Sequence, residues 1–302
     1  MPRDTSVHLP DDLSRGAEDT DRLEAGLDAL QASYTPEAGR LARVVRAAVP
    51  PLVAVGLLLL AWQALVQAQV KPVYLLPGPA DVWSAFTGAW GRGDAQKAFL
   101  TSIERGGLGF AVAVLVGTPL GVLVARVRPV RTAVGPLVTG LQVLPSVAWV
   151  PAGIIWFGLS DATVYFVILM GAVPSVVNGL VAGVDQVPPL YRRVGRVLGA
   201  GRIAMVRHVI LPAALPGYLA GLKQGWAFSW RSLMAAEIIA VGGRIGFGLG
   251  ALLQQGRELA DMSVVLLAIV LILVVGIAVE LAVFAPVERR VLRGRGLRAE
   301  TA

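Results

Sequence analysis

The chain has 302 residues, 55% of them hydrophobic and only 16% charged, and its mean hydropathy is +0.68. Soluble globular chains carry about 25% charged residues and about 45–50% apolar ones, so a soluble enzyme and a disordered chain are both disfavoured. The net charge of +7 admits nucleic acid as a partner until the basic residues are located.

Residues 1–48 form a polar, acidic arm with Asp4, Asp11, Asp12, Glu18, Asp19, Asp21, Glu24, Asp28 and Glu37. Leu23, Leu27 and Leu30 recur at helical spacing behind Asp19 and Thr20, which are N-cap residue types. Two readings stand: a short amphipathic helix on a flexible cytosolic arm, or a disordered tail. No basic run leads into a short apolar stretch, so no cleavable signal peptide is expected.

Apolar blocks follow. A hydrocarbon layer about 30 Å thick is crossed by roughly 20 helical residues. The blocks predict six membrane helices near 49–68, 106–125, 133–158, 162–184, 213–241 and 263–286. Internal Gly and Pro are tolerated where neighbours satisfy the freed backbone groups. No alternating ten-residue segments of a barrel occur. The fold class is all-α and polytopic, with residues 49–287 as the membrane domain and 288–302 as a basic cytosolic tail. Before the second helix, Pro77, Gly78 and Pro79 open a short helix at the membrane interface, anchored by Trp83, Phe86 and Trp90. Gly117 and Gly121, and then Gly217, Gly221 and Gly225, fall at four-residue spacings that allow close helix approach.

Lys and Arg concentrate in alternate connections. One side takes Arg40, Arg43 and Arg46, then Arg126, Arg128 and Arg131, then Arg192, Arg193, Arg196, Arg202 and Arg207, and finally the tail from Arg289. The other side holds Lys71, Arg92, Lys97, Arg244 and Arg257. The bias places both termini in the cytoplasm. It also accounts for the basic charge without nucleic acid, because no single basic–aromatic platform forms. Arg289, Arg290 and Arg293 face anionic lipid.

Catalytic devices are missing. There is no cysteine, which excludes thiolate chemistry and cysteine-held zinc, and His8 and His208 do not make a metal cluster. A phosphate-binding loop of the Walker type needs Lys followed by Ser or Thr. Lys71, Lys97 and Lys223 are followed by Pro72, Ala98 and Gln224. No catalytic residue and no bound cofactor are expected.

The loop of 185–212 carries the strongest signal. Pro188 and Pro189 stop the fourth helix, the stretch 190–198 forms a short basic helix, Gly199 and Gly201 end it, and Pro212 opens the next membrane helix. A short exposed helix on a stalk suits a groove on a soluble partner. From Gly199 through Val209 to Leu211-Pro212, followed by Ala213-Ala214-Leu215-Pro216-Gly217, the loop resembles that of permease subunits of binding-protein-dependent ABC importers. The family's Glu-Ala-Ala positions are held here by Arg193, Val194 and Gly195, so the acidic contact to the ATPase is absent or reversed in charge. Leu144-Pro145-Ser146-Val147-Ala148-Trp149-Val150-Pro151 with Ile155-Trp156-Phe157-Gly158 resembles the nitrate/sulfonate/taurine branch. Leu76-Pro77-Gly78-Pro79 and Ala235-Ala236-Glu237 resemble it too.

The resemblance implies a cytosolic ATPase pair that carries ATP-Mg, an external binding protein, and a second permease copy. The ATPase would be coupled through Tyr191, Arg192, Arg193, Arg196, Leu198, Gly199, Ala200 and Arg202. The cargo implied is an aliphatic sulfonate, taurine or nitrate. Arg231, near the middle of the fifth helix, needs a partner or a wet path. It either marks the path of an anion, which its planar fork suits, or pairs internally with Glu237 or with another helix. Glu237, Trp149 and Trp156 complete the path candidates, with helix packing as the alternative for the two tryptophans. A non-ABC channel, a secondary carrier or a membrane scaffold stays open as a different class.

Overall fold

The computed structural model describes residues 40–242 and 245–293. The leucines of the N-terminal arm, Arg244 and the end of the basic tail lie outside the described residues. The chain divides into two units, Met1–Ala61 and Trp62–Ala302. In the first, the described part is the start of helix α1 (Arg40–Gln67), which is apolar from Ala48 onward and long enough to cross a bilayer.

In the second unit, Trp62 donates its indole N–H to Pro77 O at 3.1 Å, and this fixes the entry to α2 (Pro79–Gly91). Gly78 is the N-cap, Pro79 needs no helical donor at the first position, and Asp81 accepts the Gly78 N–H at 2.8 Å, the return half of a capping box. Val82 and Ala89 are buried with Ala95 and Leu267. Beside this buried face runs a ladder of Trp83, Phe86 and Trp90, with successive ring centroids 5.3 Å apart, in which Phe86 packs against the cluster. This is the short aromatic helix expected ahead of the second span.

Helix α3 (Asp94–Arg126) starts twelve residues before the apolar block does, because Gly93 turns the chain with φ 83° and Asp94 favours the positive end of the helix. The third apolar block is not one straight helix. It is α4 (Arg128–Val143), a 3₁₀ turn (Ser146–Ala148) and α5 (Trp149–Phe157), with a bend of 94°. Pro145 disfavours helical backbone at Leu144, which sits at φ −67°, ψ 126°. Helix α6 (Asp161–Asp185) follows after Gly158, and Thr163 ties the corner by donating to Gly153 O or Gly158 O.

Beyond α6 come α7 (Pro189–Val197) and the one-turn α8 (Arg202–Met205). The chain then runs through a π turn (Val206–Ile210) into α9 (Leu211–Ile239). The helical run thus begins at Arg202, ten residues before the start that Pro212 predicts. Proline lacks a donor and crowds the carbonyl four residues back. The chain absorbs this by widening one turn, closed by Leu211 N–H to Val206 O. The same device precedes Pro286: α11 (Met262–Val279) passes through a π turn (Glu280–Phe284), closed by Ala285 N–H to Glu280 O, into α12 (Ala285–Arg293). Between α9 and α11 lies α10 (Leu249–Glu258).

Every one of these elements is helical, and among the described residues five helices are long and apolar enough to cross a membrane, or six if the bent α4–α5 pair is one span. The core is the α6–α9 contact. Val164, Val167, Ile168 and Leu233 are fully buried. Two glycine pairs let the backbones meet: a Cβ on Gly179 would lie 2.3 Å from Gly221 Cα, and one on Gly217 would lie 2.6 Å from Gly183 Cα. The glycine spacing on α9 was legible, but its partners on α6 were not singled out.

Candidate functional site

Three places hold the residues singled out above. The first is α7. Pro188 and Pro189 launch it, and it ends in a Schellman motif. Ala200 N–H reaches Gly195 O at 2.9 Å and Gly199 N–H reaches Arg196 O at 3.0 Å, with Gly199 at φ 76°. That left-handed position favours glycine. Gly195 is buried against Met205, and a Cβ there would come within 2.7 Å of Met205 Cε, the end of a flexible side chain that would have to move aside.

Tyr191, Arg192, Arg193, Arg196, Leu198, Gly199 and Arg202 are exposed and Ala200 is half-buried. The arginines were visible in the sequence, but the apolar stripe between them was not drawn out. Leu190, Tyr191, Val194, Val197 and Leu198 follow the one-face spacing of a helix. All are bare, Val197 at 86% and Leu198 at 80% exposure. Such a cluster rimmed by arginine is the composition of an interface.

The second place is the exposed stripe of α9, formed by Ala220, Gln224, Ala227 and Arg231. Arg231 donates from Nε to Ala227 O at 3.3 Å and stacks its guanidinium 4.5 Å from the Phe228 ring centroid. No carboxylate among the described residues pairs with it. It lines a cavity of about 230 Å³ with Gln142, Pro145, Ser146 and Phe228. It also borders an open one of about 510 Å³ with Lys223, Gln224, Trp230 and Glu280. Lys223 is matched by Glu280 and, at 3.6 Å, by Glu288, whereas Arg231 has no such match among the described residues. The break at Pro145 therefore has a consequence: it brings the loop of 144–147 against Arg231. Trp149 and Trp156 lie elsewhere, both edge-on to Phe166 with centroids 6.0 and 5.5 Å away, and neither lines the Arg231 cavity.

The third place is the surroundings of Glu237. Glu237 does not pair with Arg231, and it is 1% exposed. Arg105 of α3 donates from Nη1 to Glu237 Oε1 at 3.2 Å and to Gly246 O at 3.0 Å, and from Nη2 to Asp161 Oδ1 at 2.5 Å. Ser102 lies 2.7 Å from Glu237 Oε2 and accepts the Leu249 N–H at 2.8 Å. Glu237 also accepts the Gly250 N–H at 3.0 Å. The carboxylate thus caps the start of α10, where the helix dipole favours negative charge. A Cβ on Gly248 would fall 2.3 Å from Glu237 Oε1, so the cap leaves room for glycine alone. Ser102 and Arg105 were missed in the sequence because their partner lies more than a hundred residues away.

No grouping of His, Cys, Asp and Glu able to hold a metal occurs among the described residues.

Comparison with known proteins agrees with this architecture. The chain is 31% identical over 246 residues to the taurine transport system permease protein TauC of Escherichia coli, covering 80% of this chain and 88% of that one. It is 28% identical over 240 residues to the nitrate import permease protein NrtB of Synechocystis, covering 76% and 84%. It is 31% identical over 194 residues to the bicarbonate transport system permease protein CmpB of Synechococcus elongatus, covering 64% and 68%. In fold it is similar to a chain of the MetNI methionine ABC transporter in an inward-facing conformation. That likeness has TM-score 0.57 at 19% identity and covers 66% of this chain and 96% of the other. The model of the family described as the binding-protein-dependent transport system inner membrane component matches residues 117–293. With more than half of its length inside that match and at least five helices of bilayer length among its described residues, the chain belongs to this family of multi-pass inner-membrane ABC importer permeases.

Proposed function

We propose that this permease carries a small oxyanion, of the sulfonate, taurine, nitrate or bicarbonate kind, across the inner membrane in an importer powered by a separate ATPase and fed by an external binding protein. ATP-Mg resides on the ATPase, and this chain supplies the path. The observation that carries the cargo class is Arg231: a cation without a carboxylate partner among the described residues, inside the membrane helix Leu211–Ile239 and eight residues from its end, beside an open cavity. A charge there costs about 2.5–3.5 kcal/mol on insertion scales, and a planar fork facing water recovers that cost by meeting oxyanions bidentately. The taurine, nitrate and bicarbonate relatives support the same class.

Arg231→Ala is expected to lower anion uptake about tenfold or more, the loss of one charge-assisted hydrogen-bonded contact, with Arg231→Lys between the two. Growth of a permease-deficient host on taurine, sulfonates or nitrate as single sulfur or nitrogen source reads this. Full growth of the alanine variant would remove Arg231 from the path.

The bare stripe of α7 is the docking face for the ATPase, with the arginines meeting acidic groups on it. By the charge bias of the connections, α7 and both termini face the cytosol. The exposed stripe of α9 faces a second permease subunit, a homodimer being the simplest arrangement. Val197→Asp with Leu198→Asp buries charge in the dock, and interface anchors of this kind carry about 2 kcal/mol or more each. The ATPase should therefore no longer co-purify with the membrane protein, although the permease still folds. Recovery of a stoichiometric ATPase complex from the double variant would place the dock elsewhere.

A further inference from the structure

Arg131 stands in the first turn of α4, and Asp185 is the last residue of α6. Their side chains meet fork to fork: Nη1 to Oδ1 at 2.8 Å and Nη2 to Oδ2 at 2.5 Å. Each is 45% exposed, so the pair adds little by Coulomb attraction alone. What two parallel bonds supply is geometry, because they fix orientation as well as distance. The fork is also selective. Arg126 and Arg128 lie in the same connection and have no carboxylate partner among the described residues, so positive charge near a membrane surface is not in itself the reason for the pair.

The fork sits at one end of a strut. Asp185 lies four residues before α7 begins, and Val187 between them is buried, so the foot of α7 and Asp185 move together. Helix α4 is 16 residues long, or about 24 Å, and from Arg131 in its first turn it runs about 20 Å to the break at Leu144–Pro145. Its last turn, with Leu141, Gln142 and Val143, walls the cavity that contains Arg231. A second tie joins that far end to α6, where Asn178 donates from Nδ2 to Gln142 Oε1 at 2.5 Å. Between the ties Val138 packs on Val177.

The geometry points to the Arg131–Asp185 ion pair as the joint that passes displacement of α7 along α4 to the broken-helix wall of the Arg231 cavity. Both are positioning residues, acting through α4 and touching neither cargo nor nucleotide. The inference rests on the reading of α7 as the ATPase dock.

The chain has no cysteine, so one introduced at Ser146 reports on the cavity wall by its labelling rate with a membrane-impermeant thiol reagent. The measurement uses the full complex with its ATPase in proteoliposomes, with and without ATP and vanadate, and needs no knowledge of the cargo. With the fork intact, nucleotide trapping should change the labelling rate. Arg131→Ala and Asp185→Ala should each shrink that change about fivefold or more, the range of ordinary coupling between sites, while ATP hydrolysis continues. Arg131→Lys, which keeps the charge but not the fork, should fall between. The exchanged pair R131D/D185R should recover the response, which a merely weakened fold would not. An unaltered response in the single variants, or an exchanged pair no better than they are, overturns the joint. Absence of a bound ATPase, or of any nucleotide response with the fork intact, overturns the docking reading first and the joint with it.

Discussion

Arg105→Met should be the most damaging single polar substitution in the membrane domain. The guanidinium is 5% exposed and bonds Glu237, Asp161 and Gly246 together. Its removal leaves the Glu237 carboxylate buried without a cation and takes away the donor that holds the Gly246 carbonyl. Breaking a buried ion pair from one side costs about 3–5 kcal/mol, a large part of the about 5–15 kcal/mol that holds an ordinary domain together. The thermal midpoint of the purified protein in detergent should therefore fall, and the yield of monodisperse material with it.

Glu237→Gln should cost less. Its amide carbonyl still accepts the Gly250 N–H and meets Ser102, and no unpaired negative charge is created. Because the two residues act as one unit, R105M/E237Q should destabilise by less than the sum of the singles. A midpoint for Arg105→Met equal to that of the parent chain would show that the cluster is ornamental. The same geometry explains why Gly248 and Gly250 flank the start of α10: the Glu237 side chain occupies the space where their Cβ atoms would go.

The contrast between this cluster and α7 shows what a sequence can disclose. The short basic helix was legible because each of its signals is local: two prolines in front, Gly199 behind, arginines between. The bilayer spans were legible as runs of apolar residues. The resemblance of residues 199–217 to permease loops points to the family that the comparison then establishes. Arg105 was not legible as a buried cation, because the apolar block opens at Gly106 and the helix was drawn from there. Its structural role depends on Glu237, 132 residues away, and on a glycine-lined turn that packs between them. The bend at Pro145 had a local signal, but the apolar run continues through it and hides it. At Pro212 the error ran the other way. The proline predicts a start, whereas a widened turn carries the helix back to Arg202. Arg231 and Glu237 are six residues apart on one helix and looked like partners. Six residues put them on different faces, one bare and one buried, and the fold assigns them separate work.

The second large effect belongs to the α6–α9 crossing, where it should grade with what each glycine touches. Gly107 has open space around it, so Gly107→Ala should leave stability unchanged or raise it, since alanine is the better helix former by about 1 kcal/mol. A Cβ on Gly225 meets a methyl of the buried Val176 at 3.1 Å, a contact relieved by a few tenths of an ångström, and Gly225→Ala should cost less than a change that meets backbone. At Gly179 and Gly221 the obstacle is the opposing backbone itself, at 2.3 and 2.4 Å. Even alanine there must drive the two helices apart, at about 1–3 kcal/mol for overpacking, and leucine at more. The separation would not stay local, because α6 ends at Asp185 beside α7 and α9 carries Arg231, so these glycines hold the dock and the cavity at a set spacing. Gly221→Leu should thus abolish uptake and sharply lower the unfolding midpoint, and Gly179→Ala should lower both in part. If the midpoints of Gly107, Gly225 and Gly221 alanine variants fail to fall in that order, close backbone contact is not what holds the two helices together.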